Sequence, residues 1–199
     1  MSKLSAIRTI VFISLFLFNA KEGLYNGLES IAFANNVDSN MEISPTDQRH
    51  LEHAIGYLEL GMLDDALREL DETDLSLQNS EVGLKLRIQI FMASKNWEDA
   101  LALGRKLCKE HPCDDEAYIH TAFCLHELTR TREAKETLLS GPTSLQQKAL
   151  FHYNLGCYHA QLGELDEAIE CVKRAIKMDK SYYQIALDDP DLTSISDRI

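Results

Sequence analysis

Gly163-Glu164-Leu165-Asp166-Glu167-Ala168-Ile169 is the stretch on which the fold turns. Its pattern is a turn residue, a large apolar residue, an acid, and then a small residue that a close neighbour can rest on. The pattern recurs upstream as Thr129-Arg130-Thr131-Arg132-Glu133-Ala134-Lys135, Lys95-Asn96-Trp97-Glu98-Asp99-Ala100-Leu101 and Gly61-Met62-Leu63-Asp64-Asp65-Ala66-Leu67. Ala66, Ala100, Ala134 and Ala168 are spaced by 34 residues each time. A fixed period of that size marks stacked helix-turn-helix units, each burying its apolar face on the next.

An acid precedes every one of these alanines, and a large apolar residue stands three before it in all but the third unit, where Thr131 intervenes. Twelve residues upstream of them lie Ala54, Ile88, Ala122 and Gly156, mostly small. Small residues at two points of one unit let paired helices cross closely. Gly61, Gly163 and Lys95-Asn96 mark turns between them.

These residues resemble the tetratricopeptide repeat family. The fourth unit carries the likeness best, in Tyr153-Asn154-Leu155-Gly156, Gly163 to Ile169, and Ala175-Ile176. Pro112 closes the second unit where the family often has proline. Ile88 and Gly104 depart from the pattern, and Gly141-Pro142 ends the second helix of the third unit early, because proline cannot continue a helix. The likeness runs from residue 44 to about 182. It implies an all-α, right-handed superhelical solenoid of helix-turn-helix repeats with a short C-terminal capping helix. The domain expectation is a leader at 1–40, four tandem repeats at 41–182, and a cap and tail at 183–199.

Helix-start chemistry agrees with this register. Ser44-Pro45-Thr46-Asp47 reads as an N-cap, a first-turn proline and a first-turn acid. Asp114-Asp115-Glu116 places negative charge at a helix start, which the helix dipole favours. Ser144-Leu145-Gln146-Gln147 has capping-box spacing before the fourth unit. Residues 181–187 form a short capping helix, Asp188-Asp189-Pro190-Asp191 stops it as a turn of solvated acids, and Leu192 and Ile195 tuck back onto the stack. That acidic run lacks the ordered oxygen ligands and the glycine of a calcium loop.

The chain has 199 residues, is 45% hydrophobic and 26% charged, and carries a net charge of -12. In residues 1–40, Lys3, Arg8 and Lys21 balance Glu22, Glu29 and Asp38, so the repeat region holds the entire excess. Such a surface repels phosphate backbones and argues against nucleic acid as a partner.

Lys3 and Arg8 precede the apolar run from Thr9 to Phe18, which resembles a secretory signal peptide and is too short to span a bilayer. Phe18-Asn19-Ala20 is a poor cleavage site, and Ala32-Phe33-Ala34 lies far downstream. Three readings stay open: an exported protein, periplasmic or secreted; a cytoplasmic protein whose translation starts at Met41; and an uncleaved anchor, the one case that brings in a membrane. The five cysteines, Cys108, Cys113, Cys124, Cys157 and Cys171, are odd in number and scattered, which suits a reducing compartment.

In the resembled family, the first helix of each unit lines a concave face. Helical spacing puts Gln48, Leu51, Ile55 and Leu58 on that face in the first unit, and Val82, Lys85, Gln89 and Met92 in the second. The third offers Glu116, Ile119, Phe123 and His126, and the fourth Leu150, Tyr153, Cys157 and Ala160. The expected partner-binding residues are therefore Leu51, Ile55, Leu58, Lys85, Gln89, Met92, Ile119, Phe123, His126, Tyr153 and Cys157. Phe123 and Tyr153 are the natural anchors.

The stripe suits a protein or peptide partner, held as an extended segment or an amphipathic helix. Self-burial is the competing expectation, with an N-terminal segment, a second copy or the capping helix covering the face. Members of the family that bind chaperone C-termini clamp a carboxylate with several basic residues and asparagines. Lys85 is the single basic residue at these places, so no such clamp is expected. A chaperone-like holder of an apolar segment of a secreted or membrane client is the alternative function.

His120 with Cys124, His50 with His53, and Cys108-x4-Cys113 around His111 fall short of the converging ligands a zinc site needs. Cys124 has no oxyanion hole in view, and phosphate loops and catalytic signatures are absent from the sequence. The expectation is a non-catalytic interaction module with no metal and no cofactor.

Overall fold

The computed structural model describes residues 43–199. The leader readings for residues 1–40 and the start at Met41 lie outside the described residues. The described chain is all-α, with helices and short 3-10 turns and no strand among the described residues. No helix among them is long and apolar enough to cross a membrane. After Lys95 the chain divides into two compact units, an N-unit and a C-unit.

The N-unit holds α1 (Pro45–Glu59), α2 (Leu63–Asp71), α3 (Leu75–Gln78) and α4 (Glu81–Ala93). Its entry follows the sequence. Ser44 Oγ accepts the Asp47 backbone N–H at 3.1 Å, and Pro45 opens the helix. The Asp47 carboxylate accepts the Asp74 N–H at 2.9 Å, tying the start of α1 to the start of α3. Leu51, Ala54 and Leu58 of α1 pack with Ala66 and Leu70 of α2, Leu77 of α3, and Leu86 and Ile90 of α4. Each large side chain so buried contributes about 1.5–3 kcal/mol. The short helix α3 has no counterpart in the repeat pattern. A Cβ at Gly83 would lie 2.1 Å from the Leu77 carbonyl oxygen, so α3 sits against α4 at a distance only glycine permits.

The C-unit holds α5 (Trp97–Glu110), α6 (Asp115–Glu127), α7 (Thr131–Leu139), α8 (Ala149–Gln161), α9 (Leu165–Met178) and α10 (Tyr182–Asp188). Helix α6 packs on α5 and α7, while α8 packs on α7 and most extensively on α9. Asp114 caps α6 by accepting the Glu116 N–H at 2.9 Å. Ala100, Ala122, Ala134 and Ala168 are fully buried at the crossings. A Cβ at Gly156 would stand 2.6 Å from Val172 Cγ2, so α8 and α9 meet there nearly backbone to side chain.

Gly61, Lys95, Thr129 and Gly163 all have positive φ, of 73°, 61°, 63° and 80°. They recur at the same interval as the alanines. At three of these turns the next N–H closes a Schellman-type bond, from Met62 to Tyr57 O, Arg130 to Leu125 O and Glu164 to His159 O.

Two sequence expectations need correction. Ser144 does not cap α8, because residues 143–147 form a 3-10 turn and Ser144 Oγ donates instead to Asp115 Oδ1 at 2.5 Å. The acids after α10 are not a freely solvated run. Asp191 is buried and Asp189 half-buried, held by contacts to α6 and α8. Leu192 and Ile195 are fully buried, as the tuck-back expectation required.

Candidate protein-binding face

In the N-unit, Leu51 and Leu58 are closed into the core, and Ile55 lies partly buried at its edge. Lys85 is half-buried and bonds Glu81 one turn back at 2.6 Å. Gln89 and Met92 are buried. Of the expected positions in this unit, Ile55 and Lys85 keep solvent access.

In the C-unit, Ile119, Phe123, His126, Tyr153 and Cys157 are all at or below 7% exposure. Phe123 meets Trp97 edge-on at 5.7 Å between ring centroids. His126, Tyr153 and Cys157 come together beneath the C-terminal segment. Tyr153 O–H donates to Asp189 Oδ2 at 2.5 Å, and the Cys157 thiol lies 3.7 Å from the same oxygen. His126 Nε2 donates to Asp191 Oδ2 at 2.9 Å, while its Nδ1 lies 2.9 Å from Thr131 Oγ1. Gln161 Nε2 donates to the Asp191 carbonyl at 3.0 Å. Tyr182 of α10 stacks at a tilt on Tyr153, with ring centroids 5.0 Å apart.

The local sequence explains this placement. Tyr153 and Cys157 are one helical turn apart on α8, and Asp189 and Asp191 flank Pro190 at the start of a 3-10 turn. Asp189 Oδ1 accepts the Asp191 N–H at 2.9 Å, which caps the 3-10 turn. Burial raises the Tyr153 phenol well above its ordinary range, and the nearby Cys157, Asp189 and Asp191 raise it further. It therefore stays protonated and acts as a donor. Asp189, Asp191, Gln161 and Tyr182 are the residues that sequence reasoning did not place here. The Asp-Asp-Pro-Asp run was the visible signal, but its partners lie on α6 and α8.

Burial lifts the Cys124 thiol to about 12, so it is a poor nucleophile. His50 and His53 lie beside Glu69 at 2.7 and 3.5 Å, and bonding to His50 first, with the His53 charge, holds that carboxyl below its usual range.

Residues 149–182, covering α8, α9 and the start of α10, match the tetratricopeptide repeat family model. Solved structures share the fold. MamA 41-end from Desulfovibrio magneticus RS-1 is 17% identical, with 78% of this chain and 92% of that one covered and a TM-score of 0.63. A crystal structure of MamA protein is 20% identical, with 76% and 85% covered and a TM-score of 0.59. MamA MSR-1 is 18% identical, with 88% and 98% covered and a TM-score of 0.57. At these identities the likeness is one of fold.

Proposed function

With residues 149–182 a tetratricopeptide repeat and the described chain built of packed helices, we propose that the protein is a non-catalytic protein-binding module. The observation that carries this reading is how its own C-terminal segment sits. Residues 189–192 lie on α8 and are held by Tyr153, Cys157, His126 and Gln161. A helix face that seats one stretch of chain by side-chain hydrogen bonds has the chemistry to seat another. In the C-unit that place is filled from within. Contact with a partner protein then falls on the N-unit positions with solvent access, Ile55 and Lys85, where an apolar contact and a cation stand on α1 and α4.

Site-specific photo-crosslinking in cells tests this. A photoreactive residue at position 55 or 85 is expected to give a discrete protein adduct, and one at Glu170, exposed on α9, is not. The partner identified from the adduct should bind the Ile55→Glu variant at least about tenfold more weakly, the loss of one apolar anchor. Adducts arising equally from position 170, or none from 55 and 85, would move the interface elsewhere.

A further inference from the structure

Cys157 Sγ and one carboxylate oxygen each from Asp189 and Asp191 lie within 4.8 Å of one another. Cys157 and Asp191 are buried, and Asp189 is half-buried. Two carboxylates brought together away from water repel each other, and the low local dielectric strengthens the repulsion. A cation at the meeting point of the three groups removes this cost.

We propose that Cys157, Asp189 and Asp191 form a binding site for a divalent transition-metal ion of the zinc class. His126 and Tyr153 support the two carboxylates, and water takes the fourth position. The spacing fits. Ligands at about 2.3 Å (sulfur) and 2.0 Å (oxygen) from a tetrahedral ion stand about 3.5 Å apart. Cys157 Sγ and Asp189 Oδ2 are 3.7 Å apart.

The support fits too. Ligating carboxylates in metal sites are themselves hydrogen-bonded, which fixes their direction. Here Tyr153 bonds Asp189 and His126 bonds Asp191. The thiol selects the metal, since a thiolate favours zinc-like ions over magnesium or calcium. On binding, Cys157 releases its thiol proton to solvent and the thiolate sulfur bonds the ion, while Tyr153 keeps its proton. The bound ion ties residues 189–192 to α8 and adds to the apolar burial of Leu192 and Ile195 that seats them.

The full chain, stripped with chelator, is titrated with Zn2+ by calorimetry and with Co2+ by absorption. The expected result is one ion per chain, a thiolate-to-cobalt charge-transfer band and a raised melting temperature. Cys157→Ser should abolish the band, and Asp191→Asn should weaken binding at least about tenfold. Cys113→Ser, at an exposed thiol, should change neither. Cadmium NMR of the unmodified protein reads the donor set without any variant, and a shift in the range for one sulfur with oxygens supports the site. No stoichiometric binding, binding that survives Cys157→Ser, or an all-oxygen cadmium shift would overturn it.

Discussion

Thr129 offers a clean test of the turn geometry on which the repeat depends. It sits at φ 63°, a β-branched residue in the left-handed region, where Gly61 and Gly163 hold the equivalent turns. That conformation costs an L-residue about 1–2 kcal/mol, towards the upper end for a β-branched side chain. The Thr129 side chain is exposed, so its removal sacrifices little packing. Thr129→Gly relieves the strain but gives the unfolded chain about 0.4–1 kcal/mol of extra entropy. The net expectation is a gain of about 0.5–1 kcal/mol, since strain relief exceeds the entropic loss. At about 4–8 °C per kcal/mol for a domain near this size, the C-unit should melt roughly 2–8 °C higher. Gly163→Ala is the mirror experiment. At φ 80° its new Cβ would meet nothing within 4 Å, so the substitution isolates the backbone term. It should lower stability by a similar ~0.5–1 kcal/mol. Scanning calorimetry with urea unfolding monitored by circular dichroism measures both. A lower melting point for Thr129→Gly, or a higher one for Gly163→Ala, would refute the reasoning.

The helix crossings make a second prediction: Ala168→Leu, at a fully buried position, should cost about 1–3 kcal/mol by overpacking, read as a shift in urea midpoint. Leu192→Ala should cost about 2–5 kcal/mol in the same assay, because Leu192 is fully buried where the C-terminal segment meets the stack. In the N-unit, the Glu69 carboxyl is held low, first by its hydrogen bond to His50 and also by His53. Its stabilising contribution is therefore complete above the ordinary carboxylate range and is lost as pH falls through its lowered value. Acid titration of helicity should show that loss, and Glu69→Gln should flatten it.

The fold was legible because its determinants are local or periodic. Ala66, Ala100, Ala134 and Ala168 recur in register with Gly61, Lys95, Thr129 and Gly163, so one spacing encodes both the crossing and the turn. Ser44 could be read as a cap, and Asp114 as a helix-start acid, because each acts within its own first turn. Ser144 could not, because its hydroxyl finds Asp115, 29 residues away, in place of its own helix start. The helix Leu75–Gln78 escaped for a related reason. What defines it is contact with α4 at Gly83, and the sequence shows Gly83 only as an isolated glycine inside a helical pattern.

The site was half legible, and the missing half is physical. Helical periodicity places Tyr153 and Cys157 on one face of α8 and His126 on the corresponding face of α6, without reference to anything else in the chain. What covers that face is decided by a return path. Once Leu192 and Ile195 are buried, Pro190 and the Asp189–Asp191 turn have little freedom, and both carboxylates arrive over α8 as a geometric consequence. Tyr153 and His126 donate to the two acids and offset part of the cost of bringing them out of water. A reading that assigns acids to solvent by residue type alone reverses their role here. Leucine and isoleucine burial a few residues downstream is the stronger term, and it determines where the acids lie. This makes the Leu192→Ala result informative about the cluster as well as the core. If apolar burial seats the segment, that substitution should loosen Asp189 and Asp191 from α8, seen as faster amide exchange across residues 182–195. Unchanged exchange there would mean that the acids themselves hold the segment down.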